Sequence, residues 1–297
     1  MTAVSPAPFA PAAWLKQTGR AWRRPAMLAA ALTVADVLPA IGFAAGLALG
    51  IDQFGRSPIA AAPWLALAAA SLIARGLLSQ AGVAVGARLG RAVKRDVRDR
   101  LLTDLFGRGR RSGDRLTAVV EGVEALDGYY ARFTPLRLAA GLSPLLIIAA
   151  AAVASPVSAA ILLFTLLPFV LGMILAGTAA AGESRRQFQA LERLPGRFVD
   201  RGRAVAVLAF GATDRVTAEI TTASNELEHR TARVMRIAFA SSAVLEFFSA
   251  LSVALIAVYC GFNLLRLLPF PVPETLNLGR AFFVLALAPE VYQPLRR

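Results

Sequence analysis

From Leu138 to Ala181 the chain runs for 44 residues without a single Asp, Glu, Lys or Arg. A water-soluble domain cannot solvate such a segment on any face, and roughly 20 apolar residues are enough to cross a bilayer as a helix. Ser155-Pro156 interrupts the run, which therefore reads as two spanning helices joined by a tight turn. Residues 26–51 hold one charge, Asp36; residues 62–83 hold one, Arg75; residues 237–265 hold one, Glu246. A last apolar stretch starts near Leu276 and contains Arg280 and Glu290. Six spans are predicted: 26–51, 62–83, 136–154, 157–181, 237–265 and 276–297, the last interrupted by Pro289, Glu290 and Pro294. The fold class is an all-α polytopic membrane protein. Composition agrees, with 57% apolar and only 17% charged residues, against about 25% charged in a soluble domain. The single cysteine, Cys260, excludes an intrachain disulfide and with it a disulfide-built secreted domain.

The first span is too long for a signal-peptide core, which runs to about 7–15 residues, and no cleavage pattern follows it. Residues 1–13, rich in Pro and Ala, read as a disordered tail, and residues 14–297 as one membrane domain. Trp14, Leu15 and Trp22 alternate with Lys16, Arg20, Arg23 and Arg24, the pattern of a short helix lying in the membrane interface.

The net charge of +13 could suggest nucleic acid, but its placement gives another reason for it. Segment 1–25 carries four basic residues, segment 84–135 eleven and segment 182–236 ten. The loops on the other side, 52–61, 155–156 and 266–275, carry only Arg56 and Arg266. Positively charged loops stay in the cytoplasm, so both termini and both long segments are expected there. The basic residues are interleaved with acids and form no aromatic-studded strip, so no nucleic-acid partner is expected.

The two cytoplasmic segments share a plan. Val85, Leu89, Val93, Val97, Leu101 and Leu105 recur at helical spacing, so the second span is predicted to run on far beyond the membrane. Gly107, Gly109 and Gly113 break it, and a returning helix starts near Leu116. Segment 182–236 repeats this with breaks at Leu194-Pro195-Gly196 and near Gly211. Six spans with two long cytoplasmic helical hairpins and short outer loops resemble the transmembrane domain of exporter-type ABC transporters.

Charges at bilayer depth cost about 2.5–3.5 kcal/mol on insertion scales and face a cavity or a partner. Asp36 and Arg75 are expected to pair with each other or to contact cargo. Arg137, at the cytoplasmic start of the third span, can snorkel to the interface. Glu246 and Glu290 are expected at similar depths, and Arg75 and Arg280 are the basic residues within other spans that could answer Glu246. Asp36, Arg75, Arg137, Glu246, Arg280 and Glu290 are thus the candidate substrate pathway. Cys260 reads as a small buried residue. His229 shares a helix face only with Glu226, too little for a metal site, and no metal is expected.

The string TAVVEGVEALDGYYARFTP at 117–135 resembles the first cytoplasmic loop of the CydD family, subunits of bacterial CydDC thiol exporters needed for cytochrome bd assembly. So do SSAVLEFFSALSVALIAVYCGF at 241–262, LGRAFFVLALAPEVYQPLRR at 278–297 and RFVDRGRAVAVLAFG at 197–211, although the family is richer in Leu and Thr near Ala204–Val207. The resemblance extends over roughly residues 14–297. It implies half of an ATP-driven exporter of cysteine or glutathione in the bacterial inner membrane, a heterodimer with a CydC-like subunit. The alternatives are an ABC exporter of haem, lipid or peptide, and a non-transporting membrane scaffold. The hairpin tips, with Gly113, Asp114 and Glu121 in the first and Asp200, Arg201 and Phe210 in the second, are expected to couple to ATPase domains. No P-loop exists, because Lys16 follows Leu15 and Lys94 follows Val93 rather than glycine. ATP and Mg are therefore expected to bind an ATPase domain outside this chain, and the chain reads as a truncated product or a fragment with no catalytic residue of its own.

Overall fold

The computed structural model describes residues 11–55, 57–107, 122–193, 213–269 and 271–296, and all regular structure among them is helical. Contacts divide the chain into two compact units, Met1–Ala160 with Leu255–Arg297, and Ile161–Ala254. The elements in chain order are α1 (Pro11–Arg20), α2 (Arg23–Ala35), α3 (Val37–Phe54), α4 (Pro58–Gly107), α5 (Val123–Asp127), a π-helical turn (Gly128–Phe133), α6 (Thr134–Ala154), α7 (Pro156–Arg193), α8 (Thr213–Leu264) and α9 (Leu278–Leu287). A 3-10 turn (Pro289–Val291) and α10 (Gln293–Arg296) close the described chain. The first helix begins at Pro11, within the stretch read from sequence as a tail.

Five helical stretches are long and apolar enough to cross a membrane: Arg23–Phe54, Pro58–Thr103, Val123–Ala154, Pro156–Leu175 and Thr231–Leu264. They contain the first three predicted spans and most of the fourth and fifth, 157–181 and 237–265. The sixth predicted span is not one helix, because α9 ends at Leu287 and a 3-10 turn starts at Pro289. The first span is also interrupted, at Asp36. Pro39 has no N–H to offer the carbonyl four residues back, at Ala35, so the helix yields there.

In the first unit α3 and α4 lie backbone to backbone. A Cβ built on Gly46 would stand 2.7 Å from the carbonyl oxygen of Trp64 and 2.7 Å from the amide nitrogen of Ala68. Lipid tails are as apolar as leucine, so helices in a membrane associate through such close packing rather than by expelling water. Large apolar side chains point the other way: Ile59 is 85% and Val153 87% exposed. This inside-out arrangement suits a bilayer.

Past the second predicted span α4 continues to Gly107, as its spacing predicted. Leu89, Val93 and Val97 are buried in a cluster with Val123 and Tyr130, against which Leu15 and Trp22 pack. The helices approach closely here too, since a Cβ on Gly86 would meet the carbonyl oxygen of Ala131 at 2.5 Å. The Tyr130 hydroxyl donates to the Leu15 carbonyl at 2.6 Å and so fastens α1 to this cluster. Lys94 binds Glu124 at 2.8 Å and Asp127 at 3.2 Å, and Arg98 binds Glu124 at 2.9 Å. These exposed pairs contribute at most about 1 kcal/mol each and mainly set register.

The second unit is a helical hairpin built from parts of α7 and α8. Phe169 packs edge-on against Phe248 with ring centres 6.4 Å apart. Gly172 faces Val244, whose Cγ1 would lie 3.6 Å from an added Cβ. Rising numbers on α7 meet falling numbers on α8, so the two run antiparallel.

Candidate functional site

The antiparallel fit of α3 on α4 sets the chemistry of the first unit. Gly46 lies against Ala68, and Gly42 lies against Ser71. One further turn along brings Arg75 to the break at Asp36. Arg75 Nε stands 3.6 Å from Asp36 Oδ1. The 3-10 turn after α9 adds Glu290 from a third direction. Arg75 Nη1 donates to Glu290 Oε1 at 2.8 Å and Nη2 to Oε2 at 2.5 Å, a fork-to-fork pair. The three side chains are 20%, 10% and 15% exposed for Arg75, Asp36 and Glu290. One guanidinium thus serves two carboxylates. A cavity of about 20 Å³ lies beside it, bounded by Thr33, Ser143 and Gln293 among others. That is room for about one water molecule and for no cargo.

The sequence reading placed Asp36 with Arg75, and the structure pairs them. It offered Arg75 as a partner for Glu246. Arg75 instead holds Glu290 and Asp36. Glu246 belongs to α8 in the second unit. Arg280 lies exposed in the first turn of α9, its backbone N–H capped by the Asn277 side chain at 2.9 Å. Arg137 is exposed at the start of α6 and makes no ion pair among the described residues. His229 is exposed, and no cluster of metal-ligating residues occurs among the described residues. The coupling candidates Gly113, Asp114, Glu121, Asp200, Arg201 and Phe210 lie outside the described residues.

A second opening, of about 410 Å³, lies between α2, α4 and the π-turn with the start of α6. Asp36 lies on its wall as well, followed by Ser79 on α4 and by Asp127 and Arg132. The π-turn helps to shape it. In its wider coil the Tyr129 carbonyl accepts from the Thr134 backbone N–H five residues on and from the Thr134 hydroxyl at 2.9 Å. Such π-turns are frequent at functional sites.

Sequence reasoning missed one polar site entirely. Glu274, in the loop between α8 and α9, accepts from Tyr259 OH at 2.5 Å and from Ser155 Oγ at 2.6 Å, both on Oε1. Ser155 also caps α7, accepting from the Ser158 amide at 3.1 Å. Asn263 donates to the Glu274 carbonyl at 3.3 Å and accepts from the Leu276 amide at 3.0 Å. The loop is therefore tied to the α6–α7 turn and to the end of α8. Cys260 is buried beside Ser158, as a small core residue.

Comparison with known proteins places this arrangement. Residues 26–271 match the family described as ABC transporter transmembrane region. The chain is 40% identical over 224 residues to the glutathione/L-cysteine transport system ATP-binding/permease protein CydD of Escherichia coli, covering 74% of this chain and 38% of that protein. It is 34% identical over 301 residues to the transport ATP-binding protein AarD of Providencia stuartii, covering 95% of this chain and 50% of that protein. It is 31% identical over 208 residues to the corresponding CydC protein of Bacillus subtilis, covering 68% and 35%. The chain thus spans half or less of the length of each of these relatives. Matched by the family over most of its length and by proteins named CydD and CydC, this helical membrane protein belongs to the ABC transporter transmembrane family and is a CydD-like member of it.

Proposed function

We propose that the chain is the transmembrane half of an ATP-driven exporter that moves small thiols, cysteine or glutathione, from the bacterial cytoplasm across the inner membrane for cytochrome bd assembly. The observation that carries this is the 40% identity to a protein named as a glutathione/L-cysteine transporter, extending over 74% of the chain. A CydC-like subunit supplies the other half of the pathway, and ATP with Mg acts in the ATPase domains that go with the two. Both termini lie in the cytoplasm, a reading supported by the concentration of arginine in segments 1–25, 84–135 and 182–236.

In this reading the hairpin tips, Gly113–Glu121 and Arg197–Gly211, receive the closure of the ATPase dimer and pass it to helix pairs as rigid-body motion. Asp36, Arg75 and Glu290 brace the first, second and last spans, and Asp36 also faces the larger opening. Arg137, Glu246 and Arg280 are the other candidates for contact with cargo. Inverted membrane vesicles carrying this chain with its partner subunit and ATPase domains are expected to accumulate labelled cysteine or glutathione only when ATP is present. Failure to accumulate either, with ATPase turnover intact, overturns the assignment of cargo.

A further inference from the structure

A cavity of about 230 Å³ lies between α1, α2 and the π-turn with the first turns of α6. Leu15 of α1, Ala26, Met27 and Ala30 of α2 and Leu138 of α6 give it apolar walls. Met27 is 60% and Leu138 55% exposed, so the cavity opens on the outward, apolar face of these helices. Two further lining residues carry polar groups that the protein leaves unused. The indole N–H of Trp22 is buried and has no hydrogen-bond acceptor. Arg23 is exposed and forms no ion pair among the described residues. The hydroxyls of Tyr130 and Thr134, also on the wall, already donate to the carbonyls of Leu15 and Tyr129. No carboxylate lines the cavity, and residues 11–35 contain Lys16, Arg20, Arg23 and Arg24 but no Asp or Glu. The cavity also brackets the starts of two predicted spans, 26–51 and 136–154, the level at which headgroups lie and aromatic and basic side chains gather.

We propose that this cavity seats the headgroup of an anionic glycerophospholipid of the phosphatidylglycerol class. The lipid phosphate accepts from the Trp22 indole N–H and is neutralised by the Arg23 guanidinium, while the acyl chains leave past Met27 and Leu138. A buried donor beside a cation, with no acceptor near, calls for an anion. Walls that open on an apolar face call for an amphiphile. A zwitterionic headgroup fits less well, because its ammonium would find no carboxylate on the wall. So seated, the lipid bridges α2 to the π-turn and adds to the bond by which Tyr130 holds α1. The site concerns how this corner of the protein is held in the bilayer and is independent of the cargo.

The test uses the complete transporter, with its partner subunit and ATPase domains, in mixed micelles. The probe is a phosphatidylglycerol with a diazirine on the first carbons of one acyl chain, and photoadducts are mapped by peptide mass spectrometry. Adducts are expected on two segments far apart in sequence, around Met27 and around Leu138. Unlabelled phosphatidylglycerol should displace the probe there about fivefold better than phosphatidylcholine, the advantage one basic residue gives an anionic lipid. Arg23→Gln should lower labelling of both segments about tenfold, the loss expected for one charge-assisted hydrogen bond. Arg23→Lys, which keeps the charge, should recover most of it. Trp22→Phe keeps an aromatic ring, loses the N–H and should lower labelling about fivefold. Arg20→Gln removes the same charge from an exposed residue outside the lining and should lower it less than about twofold, because salt screens such charges. Equal losses in Arg20→Gln and Arg23→Gln would mean diffuse attraction to a basic helix and overturn the seat. Equal displacement by phosphatidylcholine overturns the choice of an anionic lipid. Displacement by inorganic phosphate as complete as by phosphatidylglycerol would mean a water-soluble anion and overturn the lipid. Absence of adducts from both segments overturns the proposal outright. Thiol uptake enters none of these readouts, so the site stands or falls apart from the cargo.

Discussion

Replacing Arg75 by methionine keeps an unbranched apolar stem and removes the charge that two carboxylates share. The variant loses the two bonds to Glu290, at 2.8 and 2.5 Å, and the Asp36 contact at 3.6 Å. Charge-assisted bonds contribute about 1.5–3 kcal/mol each, so the loss sums to about 3–6 kcal/mol. Removing one partner of a buried pair costs about 3–5 kcal/mol, which agrees. At about 2–4 °C per kcal/mol the apparent melting temperature should fall by about 6–20 °C. Glu290→Gln is a different perturbation. It leaves Arg75 facing Asp36 one to one and keeps a carbonyl for the guanidinium, so a fall of only a few degrees is expected. The neutral triple variant Asp36→Asn, Arg75→Met, Glu290→Gln should recover most of the stability lost in Arg75→Met alone. Fluorescence-monitored unfolding in nanodiscs at one fixed scan rate measures all three, the fixed rate being needed because unfolding is irreversible. If Arg75→Met melts like the unaltered protein, or the triple variant melts below Arg75→Met, the cluster is not a brace.

Three further outcomes follow from contacts elsewhere. Gly46→Ala should cost about 1–3 kcal/mol, because the new methyl meets backbone atoms of Trp64 and Ala68 that cannot swing aside; Gly76→Ala, where a Cβ meets nothing within 4 Å, should be neutral or slightly stabilising by the same melting assay. Tyr130→Phe removes the bond to the Leu15 carbonyl and should weaken docking of α1 by about 1 kcal/mol, read as faster proteolysis after Arg20 with the spans still protected. Glu274→Ala leaves the hydroxyls of Tyr259 and Ser155 without their acceptor and should cost about 1–3 kcal/mol, while Glu274→Gln keeps an acceptor oxygen and should melt nearer to the unaltered protein.

How far the sequence carried depends on the kind of interaction. Asp36 and Arg75 stand at similar distances on either side of the turn near Ser57, so a tight helical hairpin must bring them to one level. Their pairing was legible for that reason. The extension of α4 was legible from its spacing, and Leu89, Val93 and Val97 are buried as that spacing requires. Glu290 was not assigned to Arg75, because hydropathy sees an apolar run and not the 3-10 turn at Pro289 that redirects the side chain. Glu274 looked like an ordinary loop acid. Its partners, Ser155 and Tyr259, are 119 and 15 residues away, and nothing local announces them. The glycines of α3 recur every fourth residue at 42, 46 and 50, a readable signal of close packing whose meaning depends on knowing which helix lies opposite.

The irregular backbone of the first unit falls where its polar groups are. The break at Asp36, the 3-10 turn at Glu290 and the π-turn carrying Arg132 interrupt three otherwise apolar helical paths. Each interruption leaves carbonyls or amides without their regular helical partners. In hydrocarbon such groups cost several kcal/mol, so irregular backbone survives at membrane depth only where protein or a polar cavity surrounds it. Asp36 lines both the cavity beside Glu290 and the opening that ends at Arg132. The polar groups of the first unit are therefore gathered about Asp36, on a wall that the one-water cavity and the larger opening share. The Arg75–Glu290 pair ties the 3-10 turn after α9 to α4 at that point.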